Sequence, residues 1–321
     1  MRKLFEALPC KKRAFFLRST LNQSLISSLL CLLEAAQDVL PTEVYQSSFE
    51  NLNSLNPEEK ISSFLYALNS VFAQAFSTEN IPTIQKVAQN IADHKFQIEG
   101  INFFSIDDLD SYHQELFKKI AVFEIPGGVT FINSPPEQHQ KIKSLFQQGL
   151  TLISQSCNDL YEEIEIFLSE ILTFDSPKMK YGSSFNLFGM MYIRESFPFN
   201  TIVDVVDALT HEAGHIHLYS LSADDPLVLN PPEERYTAPL RTDKRPLIGI
   251  YHASFVVSRI LYALRALYNH KLLSEEEQAY CSTLIEAYKV KYALGFETVQ
   301  KHATMTQLGH DILRSTFKLA S

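Results

Sequence analysis

Two histidines four residues apart, His211 and His215, stand in a proline-free stretch over 201–221 in which Ile202, Val205, Val206 and Leu209 recur at helical spacing. This pattern constrains the fold more than any other feature of the chain. Residues four apart lie one turn apart on the same face of a helix, so an amphipathic helix here aims both imidazoles at one point. The residues between them are Glu212, Ala213 and Gly214. A His-Glu-x-x-His helix binds a divalent metal, and the glutamate beside the ligands can reach a metal-bound water or a partner behind them. Gly214 costs about 1 kcal/mol of helix stability relative to alanine. That cost suggests a close approach at this point, by a strand or by a ligand. Asp204 and Asp207, on the preceding turns, read as solvated acids.

An open metal site takes a third protein ligand. Leu218 and Leu221 occupy the Gly and His positions of the longer H-E-x-x-H-x-x-G-x-x-H pattern, which excludes that arrangement. Glu233 and Glu234 lie in a proline-flanked segment, and Glu275, Glu276 and Glu277 read as the first turn of a later helix. His252 is the better candidate, because it opens an apolar helical run over 252–261. Arg259 lies two turns further along the same face, which suggests a metal ligand beside an anion clamp. Arg241 and Arg245, just upstream, can bring guanidinium forks to a carboxylate; the alternative is a solvated, turn-rich loop. His217, two residues past the motif, points elsewhere. His94, His113, His139, His270, His302 and His310 carry no pattern.

The rest of the chain predicts a mainly α (α+β) fold: a helical protein with a small β element and a zincin-like HExxH helix. Helices are expected over 15–37, after Asn56-Pro57, over 81–94, 137–172, 201–221, 250–269, 274–290 and 304–318. Weak alternation over 95–104 and the Met190-Met191-Tyr192-Ile193 run suggest strands, and Pro126-Gly127-Gly128 suggests a hairpin over 122–132. A Pro-rich segment over 225–246 links the motif helix to the next. The expected division is a helical region 1–94 followed by a metal-binding region 95–321, or one continuous domain.

Composition narrows the partners. The chain has 37 acidic against 28 basic residues, a formal charge of −9, which argues against a general nucleic-acid binder. Cys10, Cys31, Cys157 and Cys281 form no C-x-x-C pair, which fits a reducing compartment and a cytoplasmic location. The apolar residues near the N-terminus, Leu21, Leu25, Leu29 and Leu32, follow helical spacing with serines between them, as a core helix does and a signal peptide does not. No membrane span is expected.

The run Ala208-Leu-Thr-His-Glu-Ala-Gly-His215, followed by Ala238-Pro-Leu-Arg-Thr-Asp-Lys-Arg-Pro-Leu-Ile-Gly249 and His252-Ala-Ser-Phe255, resembles the bacterial HEXXH motif domain of peptide-modifying proteins. The resemblance is densest over about 180–260 and extends more loosely to Thr306-Gln-Leu-Gly309. Ala238 and Ala253 depart from the family's expected Ser and Gly. The resemblance implies biosynthesis of ribosomally made, modified peptides, with Fe(II)- and 2-oxoglutarate-dependent hydroxylation of a side chain in a peptide or protein substrate. On that reading His211, His215 and His252 hold one face of an iron octahedron. Arg241, Arg245 or Arg259 binds the distal carboxylate of the co-substrate, and Glu212 stands behind the ligands. Two alternatives use the same motif. One is a zinc metallopeptidase with Glu212 as general base. The other is a non-catalytic interaction protein that keeps the metal for structure.

Overall fold

The computed structural model describes residues 5–121, 130–132, 135–177, 179–238 and 243–320. In chain order its elements are α1 (Lys11–Ala35), α2 (Thr42–Asn53), β1 (Lys60–Ile61), α3 (Ser63–Ser77), α4 (Ile81–Asp93), β2 (Gln97–Ile98), β3 (Asn102–Ser105), α5 (Ser111–Ala121), α6 (Pro136–Ser156), α7 (Asn158–Phe167), β4 (Glu170–Phe174), β5 (Tyr181–Gly182), β6 (Met190–Arg194), α8 (Ile202–Leu221), β7 (Tyr236–Thr237), β8 (Lys244–Arg245), α9 (Leu247–His270), α10 (Glu275–His302) and α11 (Gln307–Ala320). The fold is mainly α with small sheets, as expected. Most of the expected hairpin over 122–132, and Arg241, lie outside the described residues.

The chain divides into two compact units, one of residues 1–14, 140–164 and 197–321, the other of residues 15–139 and 165–196. The boundary expected at 94/95 therefore falls inside the second unit. The unit that carries the motif also draws on the start of the chain, which hydrophobic periodicity cannot reveal.

In the first unit α9 is the central helix, with α8, α10 and α11 packed against it. Its buried residues run all round the helix, from Leu247 and Tyr251 through Phe255, Val256 and Ile260 to Leu267, as expected of a helix enclosed on every side. By length and composition α9 could also cross a membrane, but 72% of its most apolar window is buried within the protein. The Thr201 hydroxyl and the Asp204 carboxylate form a reciprocal capping box that starts α8, and Ser274 and Glu277 do the same for α10. Against α11, a Cβ at Gly309 would overlap the backbone carbonyl oxygen of Leu227, so only glycine fits there.

In the second unit the four-stranded sheet has the order β3-β4-β6-β5. The β4 strand runs parallel to both β3 and β6, and β5 pairs antiparallel at the edge. All five β4 residues are buried, the usual state of a parallel strand covered on both faces. One of them is Glu170. Its carboxylate accepts from the Ser62 hydroxyl at 2.8 Å and from the Ser63 amide at 2.8 Å, which anchors the start of α3.

Several expected boundaries are corrected. The helix predicted over 137–172 is α6, α7 and then β4, because a buried strand is a continuous apolar run that periodicity alone does not distinguish from helix. The helix expected from Pro57 starts at Ser63, capped by the Ser62 side chain. The α2 and α5 helices were not anticipated, and α10 extends to His302.

Candidate functional site

Beyond its first residue, Ile202, the positions of α8 left partly open to solvent are Asp204, Asp207, His211, His215 and Tyr219, a stripe at three- and four-residue steps on an otherwise buried helix. The Nε2 atoms of His211 and His215 lie 3.3 Å apart, and their ring centroids 5.0 Å apart. Two imidazole nitrogens bound to one ion at about 2.0–2.1 Å stand about 3.0–3.4 Å apart at octahedral to tetrahedral angles. The pair therefore already has the spacing that one metal requires. Removal from water pushes the His211 imidazole down to about 4. Burial, followed by the neighbouring His211 and His252 rings, holds His215 well below its ordinary value. Both are neutral near pH 7, the form in which a histidine donates a lone pair to a metal. The Nδ1 of His215 is buried and has no hydrogen-bond partner among the described residues.

His252 comes from α9, in its second turn and not at its start. Its ring centroid is 5.9 Å from that of His215, and burial lowers it too, to about 4. The 5.9 Å separation is wider than the 5.0 Å between His211 and His215, so His252 stands outside bonding range of an ion held by that pair. Ligand imidazoles around one ion have centroids about 4.5–5.2 Å apart, which a side-chain shift on the order of 1 Å at His252 would reach. The donor set, its neutrality and the spacing of the first pair fit a divalent transition metal.

Gly214 explains how α9 comes this close. A Cβ there would sit 3.3 Å from Val256 Cγ2 and 3.7 Å from Arg259 Cδ, both on α9. What approaches is a helix, not the strand or ligand expected from the sequence. Glu212 is almost fully buried beside the histidines, with Oε1 3.9 Å from His211 Nε2. Tyr219, which the sequence reading passed over, stacks on His215 at 6.2 Å and faces His252 at 6.0 Å. Its signal was present in the chain: it continues the four-residue step of His211 and His215.

The arginines separate. Arg259 is fully buried, donating to the Ala7 carbonyl oxygen at 2.6 Å and to Glu163 Oε1. The anion expected at this clamp is thus a carboxylate of the protein itself, and Arg259 is not available to a co-substrate. His217 also lies in this knot, 3.3 Å from Glu163 Oε1, and so points away from the site as expected. Arg245 is 37% exposed and pairs with Asp243 at 2.8 Å. Asp204 and Asp207 are not simply solvated. They accept hydrogen bonds from Tyr280 at 2.7 Å and Tyr288 at 2.6 Å, tying α8 to α10. No protein-family model matches the chain, and no curated protein matches it.

Proposed function

We propose that the chain is a metal-dependent, peptide-modifying enzyme that holds Fe(II) on His211, His215 and His252 and uses 2-oxoglutarate to hydroxylate a peptide side chain. The observation that carries the metal assignment is the 3.3 Å spacing of two neutral imidazole nitrogens on a partly open helix stripe. The choice of iron and keto acid rests on the resemblance of the motif and the following Arg-rich segment to the HEXXH motif domain. Bound iron would activate dioxygen, the oxidant, with one oxygen atom going to the peptide hydroxyl and the other to succinate as 2-oxoglutarate loses CO2; an all-histidine face is a variant of the usual two-histidine, one-carboxylate set. His211 and His215 hold the ion on α8, and His252 closes the set from α9. Tyr219, beside both His215 and His252, would border whatever binds there. Of the three candidate arginines Arg245 is described and partly exposed, and would meet the distal carboxylate by exchanging Asp243 for it; Arg241 is its neighbour in sequence. The four unpaired cysteines support a reducing, cytoplasmic setting.

A second reading, zinc-dependent amide hydrolysis, is favoured by Glu212, whose carboxylate lies 3.9 Å from His211 Nε2, where it would serve as general base if zinc were held on the histidines. Anaerobic Fe(II) loading followed by 2-oxoglutarate titration separates the two. The hydroxylase predicts a new visible charge-transfer band, weakened in Arg245→Ala, and oxygen-dependent succinate. Iron in the site with neither a band nor calorimetric 2-oxoglutarate binding sinks it. Peptide cleavage that Glu212→Gln abolishes while zinc is retained establishes the hydrolase instead.

A further inference from the structure

A second cluster of metal-ligating side chains lies wholly within the other unit. His94 ends α4, Asp110 precedes α5, and His113 lies in the first turn of α5. One ligand atom from each lies within 4.8 Å of the other two. Asp110 Oδ2 stands between the rings, 2.8 Å from His113 Nδ1 and 3.7 Å from His94 Nε2. The two rings meet edge to face at 4.9 Å.

Asp110 has an ordinary structural role as well: its Oδ1 accepts the His113 amide at 2.9 Å and caps α5. Its Oδ2 lies within hydrogen-bond distance of His113 Nδ1, at 2.8 Å, and also faces the His94 ring. His94 Nδ1 lies 3.0 Å from the Asn90 carbonyl oxygen, which can only accept, so Nδ1 carries the proton. In neutral His94 the Nε2 lone pair then faces a carboxylate oxygen. Two acceptors turned toward each other at 3.7 Å are satisfied by a proton on Nε2, by a bridging water or by a metal ion. His113 Nδ1, which donates to the same oxygen at 2.8 Å, would give up that proton to become the third ligand atom of an ion placed there. The Asn90 carbonyl fixes the His94 tautomer in the way that a ligand histidine is usually fixed by an acceptor on its far nitrogen.

We propose that His94, Asp110 and His113 form a second divalent-metal site, taking a borderline transition ion of the Zn(II) class. Two imidazoles and one carboxylate suit such an ion, and three protein ligands leave coordination positions open. A cavity of about 330 Å³ adjoins the cluster, lined also by Phe64, Lys95, Asn102 and Phe104, with room for water or a small anion at those positions. The proposal stands independently of the ion on α8.

The test is Co(II) titration of the full chain carrying His211→Ala and His215→Ala, read by visible absorption. The expected result is a d–d band that saturates at one ion per chain and is competed by Zn(II). It is lost when His94→Gln is added and weakened by Asp110→Asn, whose side chain still caps α5. No Co(II) band in the folded double variant, or a band that His94→Gln leaves unchanged, overturns the proposal and leaves a proton or a water between His94 and Asp110. If the double variant does not fold, His94→Gln in the otherwise native chain decides: one fewer bound ion supports the site, and an unchanged stoichiometry overturns it. A native chain that binds a single ion, lost with His94→Gln, would support this site and contradict the one on α8.

Discussion

In the first unit two imidazoles share one helix and a third comes from the helix packed against it. In the second unit His94 ends one helix while Asp110 and His113 cap and open the next. The first cluster is positioned from beneath, by the close approach at Gly214 and by the buried knot of Glu163, Arg259 and His217. The second is positioned by local hydrogen bonds, to the Asn90 carbonyl and the His113 amide. The difference lies in what each cluster depends on. Changes deep in the first unit should reach its histidines, whereas the second should tolerate any change that keeps its caps.

The largest expected effect comes from the knot. Arg259→Met leaves Glu163 buried without its partner, and should cost about 3–5 kcal/mol in urea unfolding. Adding Glu163→Gln should recover part of the loss; a cost below about 1 kcal/mol would mean that the first cluster is not held from beneath. Metal removal comes next. A chelator should lower the melting temperature, in keeping with about 2.7 kcal/mol of stabilisation at a hundred-fold excess of free ion over Kd. Part of that loss should vanish in His211→Ala/His215→Ala and the rest on adding His94→Gln.

A pH-dependent effect should follow at Asp207, one turn before His211. Burial raises its carboxyl from the usual range to about 6, even with the Tyr288 hydroxyl donating to it. The native state therefore holds a proton that the unfolded chain releases near pH 4, so the residue lowers stability progressively as pH rises from about 4 to 6. Asp207→Asn should be neutral at pH 4 and stabilise by about 2 kcal/mol at pH 7, measured by denaturant melts at both. An equal effect at the two pH values would refute the burial.

Gly214→Ala gains about 1 kcal/mol of helix propensity but crowds Val256, so its net effect on stability should be small. It should weaken metal binding on α8 by pushing His252 outward, and leave the ion on His94 untouched. Smallest of all, Asp110→Asn should change the stability of the metal-free protein by less than about 0.5 kcal/mol, because asparagine caps as well as aspartate.

The motif helix was legible because a single period encodes both its fold and the shared face of its two histidines: the apolar positions, Thr201 at the cap and the histidines four apart all agree. The nearness of the His252 ring to His215 was legible from a histidine on an apolar helix close downstream. Arg259 was misread because its partner, Glu163, is 96 residues away, and nothing local distinguishes a buried ion pair from a ligand clamp. The second cluster was illegible for a related reason. Asp110 and His113 are spaced as any N-cap and first turn would be, and His94 joins them only through the tertiary fold. The β4 strand was hidden because burial on both faces removes the alternation that marks a strand.

X-ray absorption at the iron edge on the Fe(II)-loaded chain carrying His94→Gln tests the metal assignment on α8 most directly. An imidazole shell matching His211, His215 and His252, which loses one ligand in His252→Ala, is the predicted result. A shell that His252→Ala leaves unchanged would contradict the three-histidine site.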